Sequence, residues 1–125
     1  MNRNFEVKDK FVEAVFANDK DTVASYIHPD FVLRQANGLE YAGTYYGADG
    51  FFKFMEKYDP AYEPEGLELI NTFTSEDPDV LVLEFHSKGL RRSTGNRFDT
   101  SVLEVWTFRD GKVLGIAPHW FEQPQ

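Results

Sequence analysis

The residue best placed to do chemistry is Glu104. It sits in the run Val102–Phe108 (VLEVWTF), where strict alternation puts it on one face with Val102, Trp106 and Phe108. A carboxylate among apolar and aromatic side chains is poorly solvated, and poor solvation raises its pKa. Such a group can act as a general acid, or as a base working near neutral pH. A second reading stays open, in which Glu104 pairs with a nearby Arg or Tyr and only fixes the shape of a pocket. Trp106 beside it, and Trp120 at the end of the following strand, would grip a flat apolar molecule.

The other titratable residues carry weaker signals. His86 alternates with Glu84 against Leu81, Leu83 and Phe85, so it points outward if those three face the core. His119 precedes Trp120 and is also expected outside. His28 stands before Pro29 at a helix end, where a solvated, cap-like role is expected. Tyr26, Tyr45, Tyr46 and Met55 are either cavity wall or ordinary core. Arg34 reaches a pocket mouth or pairs with surplus acids, and Arg91-Arg92 reads as a solvated charge pair. The three His show no metal-ligand spacing, and the chain has no Cys, which removes thiolate metal sites, disulfides and Cys nucleophiles. No phosphate loop, nucleotide fingerprint or nucleophile elbow appears. No cofactor or metal is expected, and any reaction would be cofactor-free proton transfer.

Composition bounds the rest. With 125 residues, one domain spanning 1–125 is expected. Twelve Phe, six Tyr and two Trp predict a core or cavity wall built from rings. A net charge of −8 repels phosphate backbones and anionic lipid, so neither nucleic acid nor membrane is expected as a partner. The N-terminus has no apolar run of the signal-peptide kind, and no segment reaches membrane-spanning length, so a cytoplasmic protein is expected.

The elements that must position Glu104 follow from periodicity. Residues 5–17 read as a helix with Phe11, Val12, Val15 and Phe16 on its apolar side and Asn4 as its cap. Asp19 caps a second helix that runs through Ile27 and stops at His28-Pro29. Asp30–Gln35 is a strand, Asn37-Gly38 a two-residue hairpin turn, and Leu39–Tyr45 the return strand. Gly47 and Asp49 open a third helix bearing Phe51, Phe54, Met55 and Tyr58, which Asp59-Pro60 ends. From Glu65 the period becomes two. Strands are expected at Leu67–Thr74, Val80–Leu90, Phe98–Arg109 and Lys112–Phe121, the last pair joined at Asp110-Gly111, with a frayed tail at 123–125. Helices followed by a meander give an α+β fold. Three N-terminal helices pack in a strongly bent, mostly antiparallel sheet, and the resulting cone-shaped α+β barrel has an open mouth. Leu103 and Val105 make the outer sheet face apolar as well, so a homodimer through that face is expected.

This order resembles the nuclear-transport-factor-2-like (NTF2-like, cystatin-like) superfamily, and within it the SnoaL-like and ketosteroid-isomerase-like proteins. The resemblance rests on ANDKDTVASYIHPDF after the first helix, YYGADGFFKFM at the third and LEVWTFRDGKVLGIAPHW at the end. It implies that Glu104 occupies the position of the isomerase's oxyanion-binding acid. It places Trp120, Ile116 and Pro118 on the inward face of the last strand, with Trp120 lining the pocket. The isomerase's general base falls on Gln35 and its oxyanion-hole Tyr on Phe11, so two of its three groups are missing. The base of the limonene-epoxide-hydrolase-like enzymes falls on Pro118.

Three readings follow. One is a cofactor-free isomerase, cyclase or dehydratase in which Glu104 transfers a proton, Gln35 orients a carbonyl or water, and Tyr26, Met55, Trp106, Ile116 and Trp120 hold a small hydrophobic molecule. The second is a binding protein without chemistry, and the third a dimeric scaffold with a closed cone.

Overall fold

A computed structural model of the chain describes residues 2–125. Its elements run α1 (Asn4–Phe16), α2 (Lys20–Ser25), β1 (Ile27–Gln35), β2 (Gly43–Tyr46), α3 (Gly47–Ala61), β3 (Tyr62–Thr74), β4 (Val80–Arg91), β5 (Asn96–Arg109) and β6 (Lys112–Trp120). The six strands form one sheet in the order β2-β1-β6-β5-β4-β3. Only β1 and β6 run parallel. The sheet curves, and register shifts in β1, β3 and at the β5–β6 pair supply bulges that bend strands. This is the expected α+β cone.

The helices bury their expected faces in part: of the α1 residues expected inside, Phe11 is buried and Val12 and Val15 are half-buried, but Phe16 is 59% exposed. α1 directs Val7, Phe11 and Ala14 into the core. The Phe11 ring meets Phe51 of α3 edge-on at 5.5 Å and Trp106 of β5 at 5.4 Å. Edge-to-face pairs of this kind contribute roughly 1 kcal/mol each beyond their buried area. The same cluster takes in Phe31, Leu33, Leu81, Leu83, Phe108 and Val113. At the β5–β6 turn, Asp110 and Gly111 both have positive φ (54° and 73°). That matches the right-handed twist of the strands it joins.

Several boundaries differ from the sequence expectation. Asn4 does not cap α1; it is buried as the first helical residue, and its Nδ2 donates to the Pro78 carbonyl and to Asp79 Oδ1, both at 3.0 Å. Asn2 Oδ1 takes the Asn4 N–H instead. α2 stops at Ser25, because Ile27 already pairs with Val113 and the Val113 N–H donates to the Tyr26 carbonyl at 2.7 Å. Pro29 then lies inside β1, at the bulge where its missing N–H is tolerated. The Asn37-Gly38 turn is not a two-residue hairpin. Strand β2 begins only at Gly43, and the intervening Leu39 and Tyr41 are buried against Tyr62 in a second, smaller core. Pro60 lies in the last turn of α3, and β3 starts at Tyr62 because Tyr62 pairs with Arg91 at the sheet edge.

The tail is not frayed. Pro124 is buried, its carbonyl accepts from Arg91 Nη1 at 3.1 Å, and the Gln125 carbonyl accepts from Thr94 Oγ1 at 2.8 Å. Arg91 is therefore no solvated charge. It also pairs with Glu40 at 3.0 Å and donates to the Gly38 carbonyl at 2.8 Å. Glu40 accepts further from Tyr62 and Ser93. Burial alone would raise the Glu40 pKa, but the bonds from Arg91, Ser93 and Tyr62 outweigh it and hold the carboxyl at about 2. This knot ties the 36–42 loop, β4 and the tail together. Among the described residues, no helix is long and apolar enough to cross a membrane.

Candidate functional site

The cone encloses a cavity of about 720 Å³, bounded by α1, α3, the loop bearing Tyr41 and the inner faces of β1 and β3–β6. The β register puts the key side chains there. Leu83, Glu104 and Pro118 lie in one cross-strand row, flanked by the rows Phe85–Val102–Trp120 and Leu81–Trp106–Ile116. Since Leu81, Leu83 and Phe85 are buried, Glu104 and Trp106 point inward with them.

Glu104 Oε1 accepts a hydrogen bond from Trp106 Nε1 at 3.0 Å. Among the described residues no hydrogen-bond partner reaches Oε2. Glu104 is half-buried, and it lines the cavity. Desolvation pushes its pKa up to about 7, against a smaller opposing pull from the Trp106 bond. Among the described residues, no Lys, Arg or His lines the cavity to counter that shift. The Tyr41 hydroxyl, at the same cavity, is pushed well above its ordinary value by burial, with Tyr62, Tyr58 and Glu104 adding to the effect. Tyr58 is raised by burial and by Asp59. Gln35 Oε1 and Trp120 Nε1 belong to cavity-lining residues and are buried without a partner. Such orphaned groups cost roughly 1–3 kcal/mol each unless something else supplies the bond.

Of the residues singled out from sequence, Glu104, Gln35, Met55, Trp106, Ile116 and Trp120 come together around this cavity. Tyr26 does not. It is the C-cap of α2, packs half-buried against the main core and has no place in the cavity wall. Tyr45 is spent on the Tyr41 carbonyl at 2.9 Å, Tyr46 is 69% exposed, and Arg34 is exposed away from the wall. His86 lies on the outer face paired with Asp99, and His119 is exposed. His28 is buried rather than solvated, because its Nδ1 accepts the Asp30 N–H at 3.0 Å. Sequence reasoning missed Tyr41, which it had placed in a strand; Tyr41 stands three residues after the Asn37-Gly38 turn, and its alternation with Leu39 mimics a strand. A smaller hollow of about 180 Å³ between the three helices shares Val15, Phe51, Met55 and Asp59 with the cavity but not Glu104. Among the described residues, no group of three His, Cys, Asp or Glu could hold a metal ion.

The SnoaL-like domain model matches residues 9–116, which takes in every strand except the end of β6. The chain belongs to the SnoaL-like family. Solved structures share the cone at low identity. An NTF2-like protein from Burkholderia thailandensis superposes with a TM-score of 0.82 at 20% identity, covering 96% of this chain and 92% of that one. A protein with a cystatin-like fold from Xanthomonas campestris gives 0.79 at 17% identity, with 98% and 93% covered. A Mycobacterium tuberculosis protein in complex with estradiol-17β-hemisuccinate gives 0.74 at 13% identity, with 96% and 95% covered. No curated protein matches the chain. At these identities the likeness fixes the fold of this SnoaL-like chain and leaves its ligand to the site itself.

Proposed function

We propose that this SnoaL-like protein binds a small, largely apolar ring compound in the cone and moves a proton on it with Glu104. The observation that carries the reading is a carboxyl poised at about 7, half-bonded to Trp106, and facing an aromatic cavity of about 720 Å³. Such a carboxyl is neutral often enough to donate a proton to a carbonyl oxygen, and ionised often enough to take one from the adjacent carbon. Gln35 and Trp120 would orient the carbonyl, while Trp106, Met55 and Ile116 hold the apolar body. That a protein of the same fold was solved in complex with an estradiol ester supports a flat ring skeleton as the ligand class. Isomerisation, cyclisation and dehydration all use this one proton transfer.

A second reading is binding without chemistry, favoured by the neutral amide at Gln35 and the proline at Pro118, positions at which related enzymes carry a base. Exchange of the α-protons of 2-tetralone in deuterated buffer, followed by proton NMR, separates the two. The first reading expects catalysed exchange that falls about 100-fold in Glu104→Gln. Binding of 2-tetralone with exchange no faster than in buffer would establish the second.

We further propose that the outer sheet face joins two copies of the chain. Phe73, Val82, Val105 and Ala117 form one cross-strand row there, and Phe73 and Leu103 remain 48% and 43% exposed.

A further inference from the structure

Among the described residues, every charged side chain that lines the cavity is acidic. Glu104 lies on the cavity wall, and Asp59 and Glu65 also line the cavity. Both of the latter are exposed, and Glu65 is bridged from outside by Arg97. Among the described residues, no cationic side chain lines the wall. The rest of the wall mixes aliphatic side chains with rings, among them Phe11, Phe51, Phe54, Tyr58, Trp106 and Trp120. Glu104 Oε2 has no hydrogen-bond partner among the described residues, and the chain as a whole carries a charge of −8.

Each of these features favours a positive guest. Ring faces attract a cation through their quadrupoles, and most strongly where water is excluded. A buried carboxyl with one oxygen unmet gains a counter-ion and a charge-assisted hydrogen bond from an ammonium group. Surplus acid at the entrance and over the surface raises the local concentration of cations and lowers that of anions. An anionic guest could take the unpartnered Trp120 Nε1–H, but it would face the Glu104 carboxylate and the acidic surface.

We infer that the cavity takes a protonated amine carried on an aromatic or alicyclic body, with the ammonium bound by ionised Glu104 and flanked by the rings of Trp106 and Trp120. On binding, the Glu104 carboxyl loses its proton to solvent and the amine keeps its own, so no co-reactant is needed. The inference rests on the cavity being a ligand site and goes beyond the reading given above, which assigns the ligand a carbonyl and no charge.

Three guests of one skeleton test it: 2-naphthylmethylammonium, 2-naphthylmethanol and 2-naphthoate, titrated by calorimetry at pH 7 into the native protein and into Glu104→Gln, with melting temperatures showing that both are folded. A charge-assisted hydrogen bond stabilises by about 1.5 kcal/mol or more, so the amine should bind at least about tenfold more tightly than the alcohol, and the carboxylate more weakly than either. In Glu104→Gln the amine's advantage should disappear while the alcohol still binds. Alcohol binding with no preference for the amine would overturn the inference and leave the cavity reading standing. An advantage that survives in Glu104→Gln would also overturn it, by moving the attraction to the mouth. Binding of none of the three would overturn both.

Discussion

At the residue scale, Glu104 costs stability in its ionised form. Its folded carboxyl titrates at about 7 against 4.5 for an unperturbed Glu. Between those values the folded state holds more protons than the unfolded state, so stability falls as pH rises through that window. The fall is complete above about pH 8, where it amounts to at most about 3 to 4 kcal/mol. Urea melts of the native protein and Glu104→Gln at pH 5 and pH 8 check this. The native protein should lose stability between the two, and the variant should lose markedly less. Much of this was legible in the sequence, because period-two alternation around Val102, Trp106 and Phe108 fixes which way Glu104 points. The Trp106 Nε1 bond was not legible, since residues two apart on a strand meet only through their side-chain rotamers. The buried His28 was hidden for a similar reason: its partner is a backbone N–H two residues on, inside a strand that appeared to start later.

At the element scale, the knot around Arg91 decides whether the 36–42 loop holds Tyr41 at the cavity. Arg91 bonds Glu40 and the carbonyls of Gly38 and Pro124, and only its planar fork serves all three at once. Arg91→Ala should lower stability by about 2 kcal/mol, the cost of leaving these partners unmet, and should loosen the tail. Thermal melts and amide exchange at residues 38–42 and 121–125 report the two effects. Arg91→Lys should recover little of either. Glu40 adds a pH signature of opposite sign to that of Glu104. Its pKa is depressed to about 2, so its contribution is present above about 4.5 and lost as pH falls toward 2. The long strands were readable because β4 and β5 alternate cleanly between turns. The 36–42 loop was not, since Leu39 and Tyr41 mimic a strand while packing into a separate cluster with Tyr62. The tail likewise looked free because its anchors are backbone carbonyls, which no side-chain pattern reveals.

At the scale of the whole molecule, helices grouped ahead of a meander were enough to indicate the cone, and the domain match over residues 9–116 agrees. What the sequence could not supply was the parallel pairing of β1 with β6, which joins the β1–β2 pair to the meander and brings Gln35 toward the row of Pro118 and Glu104. That pairing joins residues more than eighty positions apart. The proposed dimer also belongs at this scale. Light scattering should give twice the chain mass, and Leu103→Asp should shift it toward one chain; a native mass of one chain at all concentrations would refute the pairing. The central claim is that the cone holds a ligand over a carboxyl poised for proton transfer. The most direct test is a carbon-13 NMR titration of the Glu104 carboxyl, assigned by its loss in Glu104→Gln and repeated with 2-tetralone. A midpoint near 7 that moves when the ketone binds is the predicted result. A midpoint near 4.5, indifferent to the ketone, would contradict the account.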